Sequence, residues 1–423
     1  MGFRFHATAP AGQWLNDPNA LVYEAGRYRL YAQHCPQAGF GAMGWGRLSS
    51  SDLLTWQWDG VAFAPTATHS VFSGSMLRTP DATLEVFYTL HERAQGHETQ
   101  HRNRGIAGLA AGAPIGPAGR NCRDPFVFFW PATGDWRMLV AHPCDKTDWA
   151  AAPASHLSVW ASADRQTWTE AGRIGPWHSG GVQWEVPVMV DFGAVQALIV
   201  SLVDLRQGGR ACSARWWLGR FDGSGFVPDS AGAAEGERLD IGPDFYAAIP
   251  NVAGGWPGDE RVVIAWASNW ETAKSMPWPD GVHGGPLTLP RCIELHAGRL
   301  RQQPPAAALA LAARQERWTP GQTLLLPVAG NGAQLDLVIA ADGTISAKRH
   351  SSRPELRWTS PAQLRLQAAT DITLFIDAGL VEIFFGDDGR VLTAFVPGAK
   401  ADPDNALSAL PASAPPTQSP PAT

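Results

Sequence analysis

The stretch Trp14-Leu15-Asn16-Asp17-Pro18-Asn19 is the most informative part of the sequence. Two later stretches share its character, Arg123-Asp124-Pro125 and Trp184-Glu185-Val186-Pro187. Each places one acidic residue in a short segment that also contains proline. Proline restricts the residue before it to extended backbone, which fixes the direction of Asp17 and Asp124. The three stretches therefore predict carboxylates aimed at one point.

An internal repeat places these acids in a periodic fold. The pattern Ser-x-Asp-x-x-Thr-Trp occupies Ser50–Trp56 and returns at Ser162–Trp168, 112 residues later. Asp17 and Asp124 precede the two copies by 33 and 38 residues. Two units of about 56 residues lie near the upper end of the size of propeller blades. Because equivalent strands of successive blades line one axial channel, acids spaced by whole blades would point into one funnel.

Short apolar runs bounded by Gly, Pro, Asp or Asn dominate the chain and predict an all-β protein. We predict a propeller over residues 1–300 and a linker over 301–318, with a helical pattern in Pro305–Arg317. Strand and turn signals predict a small antiparallel β-sandwich over 319–398. Residues 399–423 are rich in Pro and Ala and are predicted to be disordered, because they cannot bury enough apolar surface.

Composition excludes several classes of function. The 423 residues carry a net charge of −6 and only 17% charged residues, which gives no basic field for nucleic acid or anionic lipid. The sequence contains no run of eighteen apolar residues, so no membrane span is predicted. Five scattered cysteines without metal-site spacing indicate reduced thiols, and the first residues lack a secretory signal, so we expect a cytoplasmic protein. Nineteen tryptophans serve either as core residues or as flat faces for sugars.

Paired carboxylates are the groups that glycoside hydrolysis requires. One carboxylate attacks carbon, and the other holds the proton that releases the leaving group. We assign Asp17 as nucleophile, Glu185 as acid/base and Asp124 as an acceptor for sugar hydroxyls. Burial and two neighbouring aspartates are expected to raise the pKa of Glu185 so that it keeps this proton.

Each acid also has a purely structural interpretation. An Asp-Pro pair commonly begins a turn. A glutamate after tryptophan on a strand commonly faces solvent, and Arg123 with Asp124 can form a simple ion pair. Residue chemistry by itself leaves these alternatives open.

Further blocks in a constant order resemble glycoside hydrolase family 32, which contains invertases, levanases and inulinases. The resemblance covers roughly residues 5–396. Besides the three acidic stretches it includes Gln33, Trp45-Gly46, Phe72-Ser73-Gly74-Ser75, Asp244-Phe245-Tyr246-Ala247, Ala265-Trp266-x-x-Asn269-Trp270 and Leu287-Thr288-Leu289-Pro290-Arg291.

The resemblance implies a five-bladed β-propeller followed by a β-sandwich. It also implies a retaining attack on terminal β-D-fructofuranosyl units, with no metal and no organic cofactor. Asp17 and Glu185 would act as nucleophile and acid/base, while Asp124 and Arg123 would hold the fructose 3- and 4-hydroxyls. Other implied substrate-binding residues are Trp14, Asn16, Gln33, Trp45, Phe72, Ser73 and Trp266. Trp14 and Trp266 are equally consistent with core positions, and Gln33 with a tie between blades.

The expected substrate is a small carbohydrate, sucrose or a short fructo-oligosaccharide. A fructosyltransferase with the same acids and a non-catalytic carbohydrate-binding propeller are the alternatives. The sequence leaves the leaving group and the oligomeric state open. Four arginines are candidates for holding a phosphate on the leaving group or for ordinary surface charges: Arg78, Arg93, Arg102 and Arg104.

Overall fold

A computed structural model describes residues 2–106, 112–178, 180–207, 211–229, 235–276, 278–319, 321, 323–326, 334–360, 364–365 and 369–397. Thirty strands make up most of the regular structure in these ranges, so the predicted all-β class is confirmed. The one α-helix there is α1 (Trp270–Ser275). No helix in the described part of the chain is long and apolar enough to cross a membrane.

The first twenty-one strands form five antiparallel sheets in chain order. The first sheet contains β1 (Trp14–Glu24), β2 (Arg27–Cys35), β3 (Gly44–Ser50) and β4 (Gln57–Phe63). The second contains β5 (His69–Arg78), β6 (Leu84–Glu92), β7 (His97–Arg104) and β8 (Ala113–Arg120). The third contains β9 (Arg123–Trp130), β10 (Asp135–His142), β11 (His156–Ser162) and β12 (Thr169–Ile174).

The fourth and fifth sheets follow the same plan. The fourth contains β13 (Val182–Asp191), β14 (Gln196–Asp204), β15 (Ala211–Phe221), β16 (Phe226–Pro228) and the short β17 (Glu237–Arg238). The fifth contains β18 (Tyr246–Pro250), β19 (Arg261–Trp266), β20 (Arg291–His296) and β21 (Arg299–Gln303).

The first strands of the five sheets contact one another. β1 contacts β5, β5 contacts β9, β9 contacts β13, β13 contacts β18, and β18 contacts β1. A parallel bridge between Leu21, on β1, and Asn251, directly after β18, adds a backbone link between the first and fifth sheets. The first strands are therefore the place where residues distant in sequence meet.

Burial falls from the first strand of a sheet to the last. In β1, nine successive residues from Trp14 to Val22 are buried, whereas Phe63 is the one buried residue of β4. A strand buried on both faces lacks the two-residue alternation of a half-exposed strand. Polar residues within such a strand, including Asn16 and Asp17, are therefore held away from bulk water.

The last nine strands form two further antiparallel sheets. They are β22 (Arg314–Trp318), β23 (Thr323–Leu326), β24 (Gln334–Ile339), β25 (Thr344–His350), β26 (Trp358–Thr359), β27 (Leu364–Arg365), β28 (Thr370–Asp377), β29 (Leu380–Phe385) and β30 (Arg390–Phe395). One sheet has the order β22-β28-β29-β30, and the other contains β23 to β27. Apolar side chains of both, such as Leu335, Ile345, Ile372 and Ile383, share one buried cluster, so the two sheets face each other.

The segment predicted as a linker, 301–318, has a different organisation. β21 extends to Gln303, and β22 pairs with β28, so β22 belongs to the C-terminal sheets. The ring of Trp318 lies in the core of those sheets, which explains why this strand joins them. The helical pattern corresponds to a single 3-10 segment at Ala306–Leu311. The tail predicted to be disordered, 399–423, lies outside the described residues.

Candidate active site

Irregular strand pairing positions the three acids. The register of β1 against β2 shifts on either side of Pro18, next to Asp17. The pairing of β9 shifts between Arg123 and Phe126, and that of β13 shifts after Glu185. Such bulges bend a strand and re-aim one side chain. Each acid therefore leaves the regular alternation of its strand.

The backbone is strained at two of these irregularities. Asp124 has a φ of 62° and Val186, directly after Glu185, has a φ of 48°. The left-handed region is disfavoured for most residues and is a clear outlier for a β-branched side chain. Residues held there by their surroundings cluster at functional sites. The strain observed at Asp124 and Val186 thus supports a functional role for this part of the molecule.

All three acids open into one cavity of about 580 Å³. Asp17 is 8% exposed, Asp124 5% and Glu185 8%. A concave site with few, convergent polar groups is the usual form of a small-molecule pocket. The first strands β1, β9 and β13 each contribute one acid to its floor.

Arg123 connects the acids of the cavity. Its Nη1 donates to Glu185 Oε1 over 3.1 Å, and its Nε donates to Glu98 Oε1 over 3.0 Å. Its Nη2 donates to Asn121 Oδ1 over 3.2 Å. Charge-assisted bonds from a planar guanidinium fix both partners in orientation. Arg123 is therefore held rigidly between a supporting acid and a cavity acid.

Glu185 and Asp124 are close neighbours. The backbone N–H of Val186 donates to Asp124 Oδ2 over 2.9 Å. The second oxygen of Glu185 accepts a hydrogen bond of 2.7 Å from the hydroxyl of Tyr246, on β18. Ser73 Oγ donates to Asp17 Oδ2 over 3.5 Å. All five sheets thus contribute residues to these hydrogen bonds.

Burial and mutual repulsion shift the pKa values of the aspartates upward. Burial raises the pKa of Asp17 to about 7, and the charge of Glu185 adds to the shift. Burial raises the pKa of Asp124 to about 8, again with a contribution from Glu185. These groups titrate as one coupled cluster, because each charge opposes the ionisation of the next.

The pKa of Glu185 shifts in the direction opposite to the expectation from sequence. Burial by itself would raise this pKa, but the charges of Lys146 and Arg123 and the hydrogen bond from Tyr246 outweigh burial and hold it below its ordinary value. The two aspartates therefore hold protons more tightly than ordinary aspartates, whereas Glu185 loses its proton more readily than an ordinary glutamate. Neither Lys146 nor Tyr246 lies near Glu185 in sequence.

The N-terminal domain model of glycosyl hydrolases family 32 matches residues 6–304. The chain belongs to this family. The match to family 32 includes all five N-terminal sheets and every acid of the cavity. It ends before β22, the first strand of the C-terminal sheets.

The chain matches only part of the length of its curated relatives in family 32. A levanase of Bacillus subtilis is 29% identical over 65% of this chain, and a raffinose invertase of Escherichia coli is 30% identical over 71% of it. The matches cover 42% of the levanase and 64% of the invertase, so the chain spans less than two thirds of either relative.

Solved structures of family 32 share the fold. An exo-inulinase from Aspergillus awamori has a TM-score of 0.74 at 21% identity, with 95% of this chain and 93% of that one covered. A sucrose-6-phosphate hydrolase from Lactobacillus gasseri has a TM-score of 0.74 at 22% identity, with 94% and 88% covered. At this identity the likeness establishes the fold and not the substrate.

Eight of the eleven site residues predicted from sequence line the cavity. They are Asn16, Asp17, Gln33, Phe72, Ser73, Arg123, Asp124 and Glu185. Gln33 has a second function, because its Nε2 donates to the carbonyl of Val71 over 3.0 Å and ties β2 to β5. The chemical roles of the eight stay predictions, whereas their convergence is a structural observation.

The other three predicted residues lie behind the cavity wall, which corrects the expected contact with sugar. Trp45 and Trp266 are fully buried, and their ring nitrogens donate to the carbonyls of Phe72 and Gly284. Trp14 is buried against Trp266, and its ring nitrogen donates to Asn16 Oδ1 over 2.8 Å. Burial of their large rings in the core outweighed the alternative position at the surface.

Sequence reasoning assigned no role to several residues of the wall, or to Tyr246 buried behind it. Phe40 is 46% exposed at the rim, in edge contact with Trp270 of α1. Lys146 lies in the loop after β10, and Tyr246 begins β18. Tyr246 and Trp270 belong to blocks of the family pattern, which was the available signal; Phe40 and Lys146 carried none.

The four arginines considered for a phosphate do not line this cavity. Arg102 pairs with the buried Glu85, and Arg104 with Asp81. Arg78 and Arg93 donate to backbone carbonyls, those of Tyr23 and Thr66 among others. Within the described ranges, no group of three or more His, Cys, Asp or Glu side chains is arranged to hold a metal ion.

Proposed function

We propose that this chain is a retaining glycoside hydrolase that releases terminal β-D-fructofuranosyl units from sucrose or fructo-oligosaccharides. The observation that carries the proposal is the convergence of Asp17, Asp124 and Glu185, with Arg123, in one cavity. Membership of family 32 supports it, as do the names levanase, raffinose invertase and exo-inulinase among the relatives. Sucrose-6-phosphate hydrolases among the relatives add a phosphorylated sucrose to the substrates worth testing.

The reaction proceeds in two displacements. In the first, an oxygen of Asp17 bonds to the anomeric carbon while Glu185 gives a proton to the departing glycosidic oxygen. The fructosyl ester on Asp17 is then attacked by water, which loses a proton to Glu185 and frees both fructose and the Asp17 carboxylate. Asp124 and Arg123 hold the sugar hydroxyls during both steps.

Substrate binding changes which of the three acids carry protons. Sugar hydroxyls that donate to Asp124 favour its ionised form and lower its pKa. Its negative charge then opposes the ionisation of Glu185, so the cluster shifts its proton toward the acid/base. When the sugar binds, Asp124 thus releases a proton and Glu185 takes one up, while Asp17 must lose any proton of its own to solvent before it can attack carbon.

The finer architecture supports this function. We infer that the five N-terminal sheets are blades of a closed propeller, because their first strands contact one another in order and β18 returns to β1. The two facing C-terminal sheets form the β-sandwich. In such a propeller the first strands line the axial channel, which is where the cavity opens.

The test is hydrolysis by the purified protein without added metal. A panel of sucrose, sucrose 6-phosphate, inulin and levan is followed by the release of fructose. Asp17→Asn and Glu185→Gln should each reduce kcat/KM for the preferred substrate by about a thousandfold or more. Asp17→Asn should melt no lower than the wild type, because burial disfavours the charge of Asp17. Glu185→Gln should fold but melt at a lower temperature, because it removes a charged partner of the largely buried Arg123. Activity near the wild-type level in either variant would disprove the assignment.

Methanol as a competing acceptor tests the stereochemistry. A double displacement yields methyl β-D-fructofuranoside, whereas a single displacement yields the α-anomer. The same experiment at high sucrose separates hydrolysis from transfer, because oligosaccharides longer than the donor would indicate a fructosyltransferase.

The compartment is part of the proposal. All five cysteines are thiols, and Cys35, Cys122, Cys144 and Cys212 are buried. Thiols retained throughout a chain of this size favour a reducing compartment, and we propose the cytoplasm.

A further inference from the structure

A single buried carboxylate connects the C-terminal sheets to the cavity wall. Asp244 is fully buried, just before β18. Its Oδ2 accepts from the guanidinium of Arg349, on β25, and from the backbone N–H of Phe395, at 2.7 Å. Its Oδ1 accepts from Asn269 Nδ2 at 2.7 Å and from Thr272 Oγ1 at 3.0 Å. Both oxygens of Asp244 are thus used to join two parts of the chain.

Through Asn269, this carboxylate sets the start of α1. Asn269 is the N-cap of the helix, and its Oδ1 accepts from the backbone N–H groups of Glu271 and Thr272. An N-cap fixes the first turn of a helix, here on an amide whose nitrogen is anchored on Asp244. Three residues of this short helix line the cavity: Trp270, Glu271 and Lys274. The wall formed by α1 therefore rests on Asp244.

The same carboxylate lies two residues before Tyr246. The hydroxyl of Tyr246 donates to Glu185 Oε2, and its ring is fully buried against Trp266. Ala247, the next residue, has a φ of 54° and is held by a bond from its N–H to Ser201 Oγ. A displacement of Asp244 would thus be transmitted over a short, buried and strained piece of backbone to the partner of Glu185.

Resting on the proposed function, we propose that Arg349 is a positioning residue for the active site. It lies in the C-terminal sheets, outside the cavity, and acts through Asp244 on α1 and on Tyr246. Its guanidinium is 2% exposed, and it is fixed by bonds from Nη1 to the carbonyl of Phe395 at 3.0 Å and from Nε to that of Leu356 at 2.6 Å. The rigid planar fork of a guanidinium holds its three acceptors in a fixed arrangement, which the compact, rotatable ammonium of a lysine does not reproduce.

The experiment compares Arg349→Met and Arg349→Lys with a matched control, Asp377→Asn. Asp377 is equally buried at the same boundary, but its partners are Arg4, Phe5 and His6, on the N-terminal segment. Arg349→Met should raise KM and lower kcat/KM for the preferred substrate by about tenfold to a hundredfold, since small misplacements of a site have effects of this size. Arg349→Lys should recover part of the loss, and Asp377→Asn should keep wild-type kinetics despite a lower melting temperature.

Two readouts separate positioning from general destabilisation. The pH profile of kcat/KM should move in Arg349→Met and not in Asp377→Asn, because the hydrogen bond from Tyr246 is one of the interactions that lower the pKa of Glu185. Hydrogen exchange at the amides of α1 and of residues 244–247 should accelerate in Arg349→Met but not in the control, and this readout needs no activity. A folded Arg349→Met with wild-type kinetics, pH profile and exchange would overturn the proposal.

Two further outcomes are decisive. If Arg349→Met does not fold, Thr272→Val removes one bond to Asp244 without leaving a buried charge unpaired; it should produce smaller shifts in the same direction, and wild-type behaviour would overturn the proposal. If the wild-type protein releases no fructose from any substrate of the panel, the proposed function fails. The exchange comparison then decides the positioning role by itself.

Discussion

At the scale of single residues, the ionisation of Glu185 depends on groups from three other parts of the chain. Arg123 and Tyr246 each donate to one of its oxygens, and the charge of Lys146 adds to their effect. Burial of the carboxyl acts in the opposite direction. The pKa of Glu185 is therefore a balance between desolvation, which raises it, and neighbouring positive charge, which lowers it. Single substitutions can change this balance.

Lys146→Met tests this balance. Loss of the positive charge raises the pKa of Glu185, so the proton needed by the leaving group is retained to higher pH. The alkaline limb of kcat/KM, measured from about pH 4 to 9, should move to higher pH. Lys274→Met is the matched control, because Lys274 also lines the cavity but lies over the ring of Trp270. An unmoved limb in Lys146→Met, or an equal movement in the control, would contradict the prediction.

At the scale of elements, the sequence repeat corresponds to two equivalent loops. Both join the third and fourth strands of a sheet, β3 to β4 and β11 to β12. Asp52 accepts from the N–H groups of Leu54 and Thr55 at 2.9 and 2.7 Å. Asp164 accepts from the corresponding N–H groups, those of Gln166 and Thr167, at 2.8 Å each. In each loop a serine hydroxyl donates to the aspartate, Ser50 to Asp52 and Ser162 to Asp164. The aspartates act as local organisers of the loop backbone.

Asp52→Ala should lower the free energy of unfolding by about 1 kcal/mol, because several charge-assisted bonds are lost on a partly solvated loop. The hydrogen bonds of the loop hold the pKa of Asp52 below 3.8 despite the opposing effect of burial. This stabilisation is present above pH 3.8 and disappears as the pH falls through the lower, folded-state pKa. Chemical denaturation at neutral and acidic pH measures both effects. Asp164→Ala is the matched variant in the equivalent loop, and wild-type kcat/KM is expected in both; a stability difference that persists at the acidic end would contradict the account.

Features with a local cause could be predicted from the sequence. The turn residues around Asp52 and Asp164 revealed the repeat, and the spacing of Asp17 and Asp124 revealed their convergence. The bulge at Val186 could not be predicted, because valine disfavours the backbone that its surroundings impose. The effects of Tyr246 on Glu185, and of Arg349 on Asp244, are contacts between residues 61 and 105 positions apart. No local pattern encodes such contacts.

At the scale of the whole molecule, buried charges join the N-terminal segment to the C-terminal sheets. His6 Nδ1 lies 2.9 Å from Asp377 Oδ2, and its Nε2 lies 2.9 Å from Glu382 Oε1. Glu382 also accepts from Arg291, on β20, and from the backbone N–H of Leu289. Removing one partner from such a group leaves a charge without compensation in the interior. The two parts of the chain are therefore expected to unfold together.

His6→Gln should lower the free energy of unfolding by about 3 kcal/mol near pH 6. Burial opposes the protonated ring, but the hydrogen bonds and charges of Asp377 and Glu382 outweigh it and raise the pKa of His6 above 6.5. A raised pKa gives a stabilisation that is complete below pH 6.5 and is lost as the pH rises through the folded-state value. Melting temperatures of wild type and variant should therefore converge in alkaline solution. A gap that stays constant, or that widens with pH, would contradict this role for His6.

The partners of His6 also determine when, during translation, the segment around His6 can dock. His6 is synthesised before Asp377 and Glu382, which are added 371 and 376 positions later. Until then, the nascent N-terminal segment has no carboxylates to dock against. A chain halted at the end of the five sheets would expose Phe5 and His6 to chaperones and proteases, whereas Arg291 would keep its bond to Asp240. The segment around His6 can thus dock only after Glu382 has been synthesised.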